Sequence, residues 1–225
     1  KLGADTFRFW SASEINHGYD FRCNEQKIES TKKFLSKLWN VSRFLSSFPV
    51  IESGKPSASD EWILSELDKL VKECKKGYET YNFFIPAIAI REFTWNVFAA
   101  HYIEMVKARA YGIEFSDEER DGAIFTLHKT LSTILKLLAP ITPFITEHLW
   151  KELYSKDSIH KEKHVEPENI EEQSNVTKEI SEFNSKVWNE KKSQNLSLKD
   201  SIKMEIPESL KPFKKDLKSM HNLLD

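Results

Sequence analysis

Lys33, Lys37, Asn40 and Phe44 stand at i, i+4, i+7 and i+11 in the stretch KFLSKLWNVSRFL, which puts them on one side of an α-helix. Ammonium groups in such a row attract phosphates, and an amide reads hydrogen-bonding edges. An aromatic ring beside them is a flat surface on which an unpaired base stacks. A phenylalanine gains nothing on a wet face unless something packs on it. A base or a neighbouring helix would serve, and the spacing leaves both open. From Gln26 to Phe48 the chain carries Lys27, Lys32, Lys33, Lys37 and Arg43 against Glu29 alone, a local charge of +4 within a chain of net −2. The total charge argues against a protein that coats nucleic acid by overall basicity, so such a surface must come from charge placement.

Other chemistry-bearing residues point to less. His160 and His164 have the i, i+4 spacing of a helical metal pair, but their stretch is charged, reads as irregular and offers no third ligand. They read as solvated histidines. His101 and Glu104 have the one-turn spacing of an acid/base pair, and read as a polar stripe on a packed helix. His17, in EINHGYD, falls in a turn-like segment. The sequence holds no glycine-rich phosphate loop, no GxSxG and no CxxC. We therefore expect neither a catalytic residue nor a metal.

The elements that must position the basic row are helices. The row shares its helix, expected from Asn24 to Ser47, with an apolar stripe of Phe34, Leu38, Val41 and Leu45. A second helix opens at SASDEW, capped by Ser57 or Ser59, and carries Ile63, Leu67, Leu70, Cys74, Tyr78 and Tyr81. A third follows YNFFIP and is nearly apolar along AIAIREFTWNVFAAHYIEMV, as a central buried helix would be. Ser116 and Glu119 form a capping box for a fourth, which Pro140 ends. Thr142 is the expected cap of a fifth, with Pro143 in its first position. From Ser155 the chain turns polar, and residues 166–182 hold six glutamates against Lys178. A helix with Val176, Ile180, Phe183 and Val187, a short strand in SIKMEI and a last helix from Leu210 to Leu224 complete the pattern. The fold class is mostly α: a helical bundle with a small C-terminal α/β appendage.

With 225 residues the chain is long enough for a sizeable core. No apolar run reaches the roughly 18 residues of a membrane helix. Cys23 and Cys74 are its two cysteines; without a secretory signal they fit a reducing, cytoplasmic setting. The sequence opens on KLGADTFRFW, without an initiator methionine and in mid-pattern, and so reads as a piece of a larger protein.

Six segments then occur in a familiar order: KLGADTFRFW, GYDFR, FLSKLWNVSRF, DEWILSEL, FTWNVFAAHYIEMVKARAY and LLAPITPFITEHLW. Together they resemble the C-terminal half of class I aminoacyl-tRNA synthetases of the valine, isoleucine and leucine subgroup, most closely the archaeal-type valyl enzymes. The likeness is densest from Lys1 to Tyr154. It rests on valine rather than isoleucine through YIEMVKARAY (102–111) and the lack of a zinc-binding tail. Two segments depart from the pattern. FAAHYIE has Ala99, Ala100 and His101 where relatives often show Cys-Asp, and HVEP lacks a usual Trp-Pro.

The resemblance implies three parts: the end of a stem-contact region (1–23), a helical anticodon-binding bundle (24–154) and a small C-terminal α/β unit (155–225). It implies valine tRNA as partner, with neither DNA nor membrane, and a monomeric parent that uses ATP and Mg to attach valine through domains upstream of this piece. Phe44 would be the stacking platform for anticodon bases, with Lys33, Lys37, Asn40 and Arg43 around it and Lys27 adding charge. Gln26 matches a base-contacting Arg of some bacterial relatives; it lacks that charge but keeps a donor and an acceptor. The same region of an isoleucyl or leucyl enzyme, and a helical adaptor that binds protein through the acidic 166–182 segment, are the rival readings.

Overall fold

A computed structural model describes residues 3–16, 18–20, 22–173 and 175–224. The helices are α1 (Ala4–Glu14), α2 (Glu25–Leu45), α3 (Ala58–Glu79), α4 (Phe84–Glu92), α5 (Ile103–Ala110), α6 (Asp117–Leu138), α7 (Pro143–Leu153), α8 (Val176–Ser193) and α9 (Lys214–His221). A π-helix, Phe93–Tyr102, joins α4 to α5. Two-residue strands β1 (Ile202–Lys203) and β2 (Leu223–Leu224) pair in parallel, Ile202 opposite Leu223. The chain is thus mostly α, with a minimal sheet near its C-terminal end. No helix among the described residues is long and apolar enough to cross a membrane.

Contacts divide the chain into two compact units, each made of three segments. The first comprises Lys1–Val50, Glu66–Trp95 and Leu127–Ile170; the second comprises Ile51–Ser65, Asn96–Thr126 and Glu171–Asp225. In the first, α1 packs on α2, α4 and α7. Phe9 stacks on Phe34, with centroids 4.7 Å apart, in a core that includes Leu38, Leu45, Ile90 and Leu131. In the second, Trp62, Phe98, Tyr102, Met105, Ile180 and Leu217 are buried around a polar staple. Arg109 grips both oxygens of Asp60 at 2.7 and 2.8 Å and donates from Nε to Asp216 at 3.1 Å. The Tyr102 hydroxyl donates to Asp60 at 2.5 Å.

Local rules account for several helix ends. Ser116 and Glu119 form the expected capping box. Asp60 reaches back to the backbone N–H of Ser57, 2.8 Å, at the start of α3. Two expectations are corrected. Thr142 does not cap α7 with its side chain, since its hydroxyl donates back to the Leu138 carbonyl. Asp5 caps α7 instead, accepting from the backbone of Phe144 and Ile145 at 3.4 and 2.6 Å. The expected last helix is broken into a 3₁₀ turn, Glu208–Phe213, then α9, then β2. Pro212 withholds an N–H donor inside the first piece. Asn222, left-handed at φ 51°, stops α9 and turns the chain into the strand.

Candidate nucleic-acid interface

The α2 helix begins where Asn24 turns its side-chain oxygen onto the N–H groups of Gln26 and Lys27, at 2.9 and 3.2 Å. Its apolar stripe is buried as the spacing requires: Ile28, Phe34, Leu38, Val41 and Leu45 all lie inside. That burial fixes the helix's rotation and turns the polar stripe outward. Gln26, Lys33, Lys37 and Asn40 line one groove of about 620 Å³, together with Glu29, Ser30, Lys32 and Ser36 from the same helix. Three lysines against Glu29 leave the groove two positive charges in excess.

The facing residue is Trp95, from the π-helix. The residue is 37% exposed. The Lys37 ammonium lies 5.9 Å from the ring centroid, within cation–π range. Sequence reasoning missed Trp95 because it sits in a nearly continuous apolar run. The one signal that could have found it is a tryptophan beside Asn96 in that run.

The other expected residues stand apart from the groove's lining. Lys27 turns to α1 and pairs with Glu14 at 2.6 Å. Arg43 is exposed in the last turn of α2. Phe44 is half-buried and meets Phe48 edge-on, with centroids 5.3 Å apart and planes at 78°. Phe44 therefore has a packing neighbour within the protein and keeps part of its surface accessible. Trp39, between these positions, is exposed and stacks flat on His148 of α7 at 5.4 Å.

The remaining polar candidates serve the fold. His101 is buried and does not meet Glu104. Its Nδ1 lies 2.9 Å from the Asn184 amide, while Glu104 pairs with Lys107. His164 sits beside the Val165 carbonyl and the Tyr78 ring, and His160 lies in a 3₁₀ turn. His17 lies outside the described residues. Among the described residues, no group of three or more His, Cys, Asp or Glu stands close enough to hold a metal ion. Cys74 is buried, and burial pushes its thiol well above the usual range, which leaves it inert. The start of the acidic segment, residues 166–170, is held down within the first unit. Glu166 pairs with Lys75 at 2.6 Å and Glu168 with Lys129 at 2.8 Å.

Comparison with known proteins gives this groove a context. Residues 60–206 match the anticodon-binding domain of tRNA ligase. A valine–tRNA ligase of Pyrobaculum aerophilum is 40% identical over 233 aligned residues, with 100% of this chain and 29% of that protein covered. One of Aeropyrum pernix is 35% identical, with 98% of this chain and 28% of that protein covered. The chain therefore spans under a third of the length of these curated relatives. Among solved structures, the LeuRS–tRNA–LeuAMS ternary complex of Agrobacterium radiobacter K84 (agnB2) has a similar fold. It matches with a TM-score of 0.55 at 18% identity, over 74% of this chain and 20% of that one. The family match covers Trp95, and the alignments to both ligases extend over nearly all of this chain, α2 included. The chain belongs to the family of anticodon-binding domains of tRNA ligases.

Proposed function

We propose that this chain holds the anticodon arm of valine tRNA, as part of a longer valine–tRNA ligase that uses ATP and Mg elsewhere in its length. The observation that carries the reading is the groove itself. Four residues singled out for tRNA contact, Gln26, Lys33, Lys37 and Asn40, line one positively charged groove beside an exposed ring. The names of the similar ligases supply the choice of valine. The isoleucyl and leucyl readings lack that support. The adaptor reading has no comparison behind it, and two of the six glutamates it would use, Glu166 and Glu168, pair with Lys75 and Lys129.

In this reading the lysines position the loop and the amides read it. Lys33 and Lys37 meet phosphates, which carry no sequence information. Gln26 and Asn40 each offer a donor and an acceptor to base edges. Arg43 and Phe44 extend the stripe one turn further, where the half-buried Phe44 would stack on a base. Residues 1–23 end a stem-contact region, 24–154 form the anticodon-binding bundle, and 155–225 form a small C-terminal α/β unit. The ligase works as a monomer in the cytoplasm, with neither DNA nor membrane as partner.

The test is a gel shift of the 225-residue chain with valine tRNA and with the same tRNA carrying another anticodon. Valine tRNA should bind more tightly. Equal binding of both would remove the base-reading role, and no binding of either would remove the anticodon arm as the partner of this surface.

A further inference from the structure

We infer that Trp95 is a second stacking platform, one that receives an unpaired RNA base from the loop whose phosphates meet Lys33 and Lys37. The inference rests on the anticodon-arm reading above.

Trp95 does not behave as a core residue. Its neighbours Phe93, Thr94 and Phe98 are buried, yet Trp95, like Glu92 and Asn96 on either side of it, is exposed. An α-helical period would group it with Glu92 behind, which is exposed, and with Ala99 and Tyr102 ahead, which are buried, so the exposed side ends at Trp95 and Asn96. The segment is instead a π-helix, whose wider turn shifts that register. The residue thus stands at a groove whose other wall is built from polar residue types, amides, hydroxyls, three lysines and Glu29, with the lysine stems supplying carbon surface between them. A large flat ring there meets no second aromatic along the groove's lining. A nucleobase supplies one, because it carries a π-face bounded by hydrogen-bonding edges and sits on a negatively charged backbone.

Lys37 makes the site responsive. Its ammonium, 5.9 Å from the ring centroid, covers the platform at the outer limit of cation–π contact. At an exposed site that contact is weaker than base–aromatic stacking. An incoming base displaces the ammonium, which is left beside the nucleotide's own phosphate. Glu29 repels phosphate, so the backbone passes along the lysine side and the base points toward the tryptophan.

The experiment uses the 225-residue chain and an RNA hairpin with the anticodon arm of valine tRNA, followed by fluorescence anisotropy. Trp95→Ala should bind about 5- to 150-fold more weakly. The slope of log affinity against log salt should stay unchanged, because no charge is lost. Trp95→Phe should bind nearly as well as the natural chain. Trp95→Leu keeps apolar bulk without a π-face and should fall with the alanine variant; it decides the matter if Trp95→Ala does not fold. Hairpins with one abasic loop position at a time give the sharper readout. At one position, loss of the base should weaken the natural chain but not Trp95→Ala any further. The stacking role is overturned if a folded Trp95→Leu chain binds as well as Trp95→Phe, or if every abasic hairpin weakens both chains equally. A natural chain that fails to bind the intact hairpin would overturn the anticodon-arm reading instead.

Discussion

Lys33, Lys37 and Lys27 look alike in the sequence and differ in what surrounds them. Lys37 covers Trp95, Lys33 stands exposed on the groove wall, and Lys27 is engaged with Glu14. Helical spacing shows which side of α2 each occupies, but not that Glu14, thirteen residues earlier, turns Lys27 toward α1. An exposed pair of that kind contributes about 0–1 kcal/mol to stability, so its consequence is mainly where the charge sits. Lys33→Ala should weaken all RNA hairpins about equally and lower the salt slope by about 0.7, the value for one single-strand phosphate contact. Lys27→Ala should change the slope less. A series of binding isotherms over a range of salt concentrations checks both. An unchanged slope for Lys33→Ala would mean that the groove wall is only a solvated helix face.

At the scale of elements, the apolar stripe of α2 and the capping box of α6 were legible because both are local. The π-helix was not. Its residues form a nearly unbroken apolar run, so periodicity carried no phase and Trp95 could not be told from its buried neighbours. Long-range caps were equally hidden: nothing near Pro143 indicates that Asp5 closes α7. The segment after α7 shows the same thing more strongly. It reads as a free acidic stretch, yet Asp68 of α3 accepts from three consecutive backbone N–H groups, Glu168 at 2.6 Å, Asn169 at 3.2 Å and Ile170 at 3.1 Å. Burial pushes the Asp68 carboxyl up, but Lys72 at 2.8 Å and those N–H groups more than offset it and hold the carboxyl below its usual range. Asp68→Asn keeps the shape and loses the charge. It should cost about 1–3 kcal/mol and speed amide hydrogen exchange at residues 168–170, with the groove on α2 still binding RNA. Unchanged exchange there would show that the segment is held by its glutamate–lysine pairs alone.

At the scale of the whole molecule, the mostly helical fold could be read from the sequence, whereas the two compact units could not. Each unit draws on three separate segments, and α3 and α6 contribute residues to both. The buried polar clusters that hold the second unit join residues far apart in the chain, so local patterns cannot reveal them. One such cluster makes stability depend on pH. The His221 ring lies 2.7 Å from the Asn184 side-chain oxygen through Nε2, and the Asn184 amide donates to Nδ1 of His101. That arrangement needs His101 neutral, since a proton on Nδ1 would set two donors face to face. Lys191 crosses the same cluster and donates to the His221 carbonyl at 2.7 Å. Burial, then the Lys191 charge and then His101, push the His221 imidazole down to about 4, and burial lowers His101 as well. A histidine depressed in the folded state is protonated first in the unfolded chain. Its contribution is therefore complete above the ordinary value of about 6.5 and is lost as pH falls from there toward 4, on the order of 3 kcal/mol for His221. Glu119 and Glu147, held near 2 chiefly by Lys215 and Lys151, begin to matter only below about 4.5. Thermal melts from pH 7.5 to 4.5 should thus show a fall in Tm that starts before Glu119 and Glu147 titrate. His221→Gln retains an amide donor toward Asn184 but has no proton to gain. Its melting temperature should be lower at pH 7.5 and should fall less steeply with acid than that of the natural chain, and parallel profiles for the two would place the acid sensitivity outside this cluster.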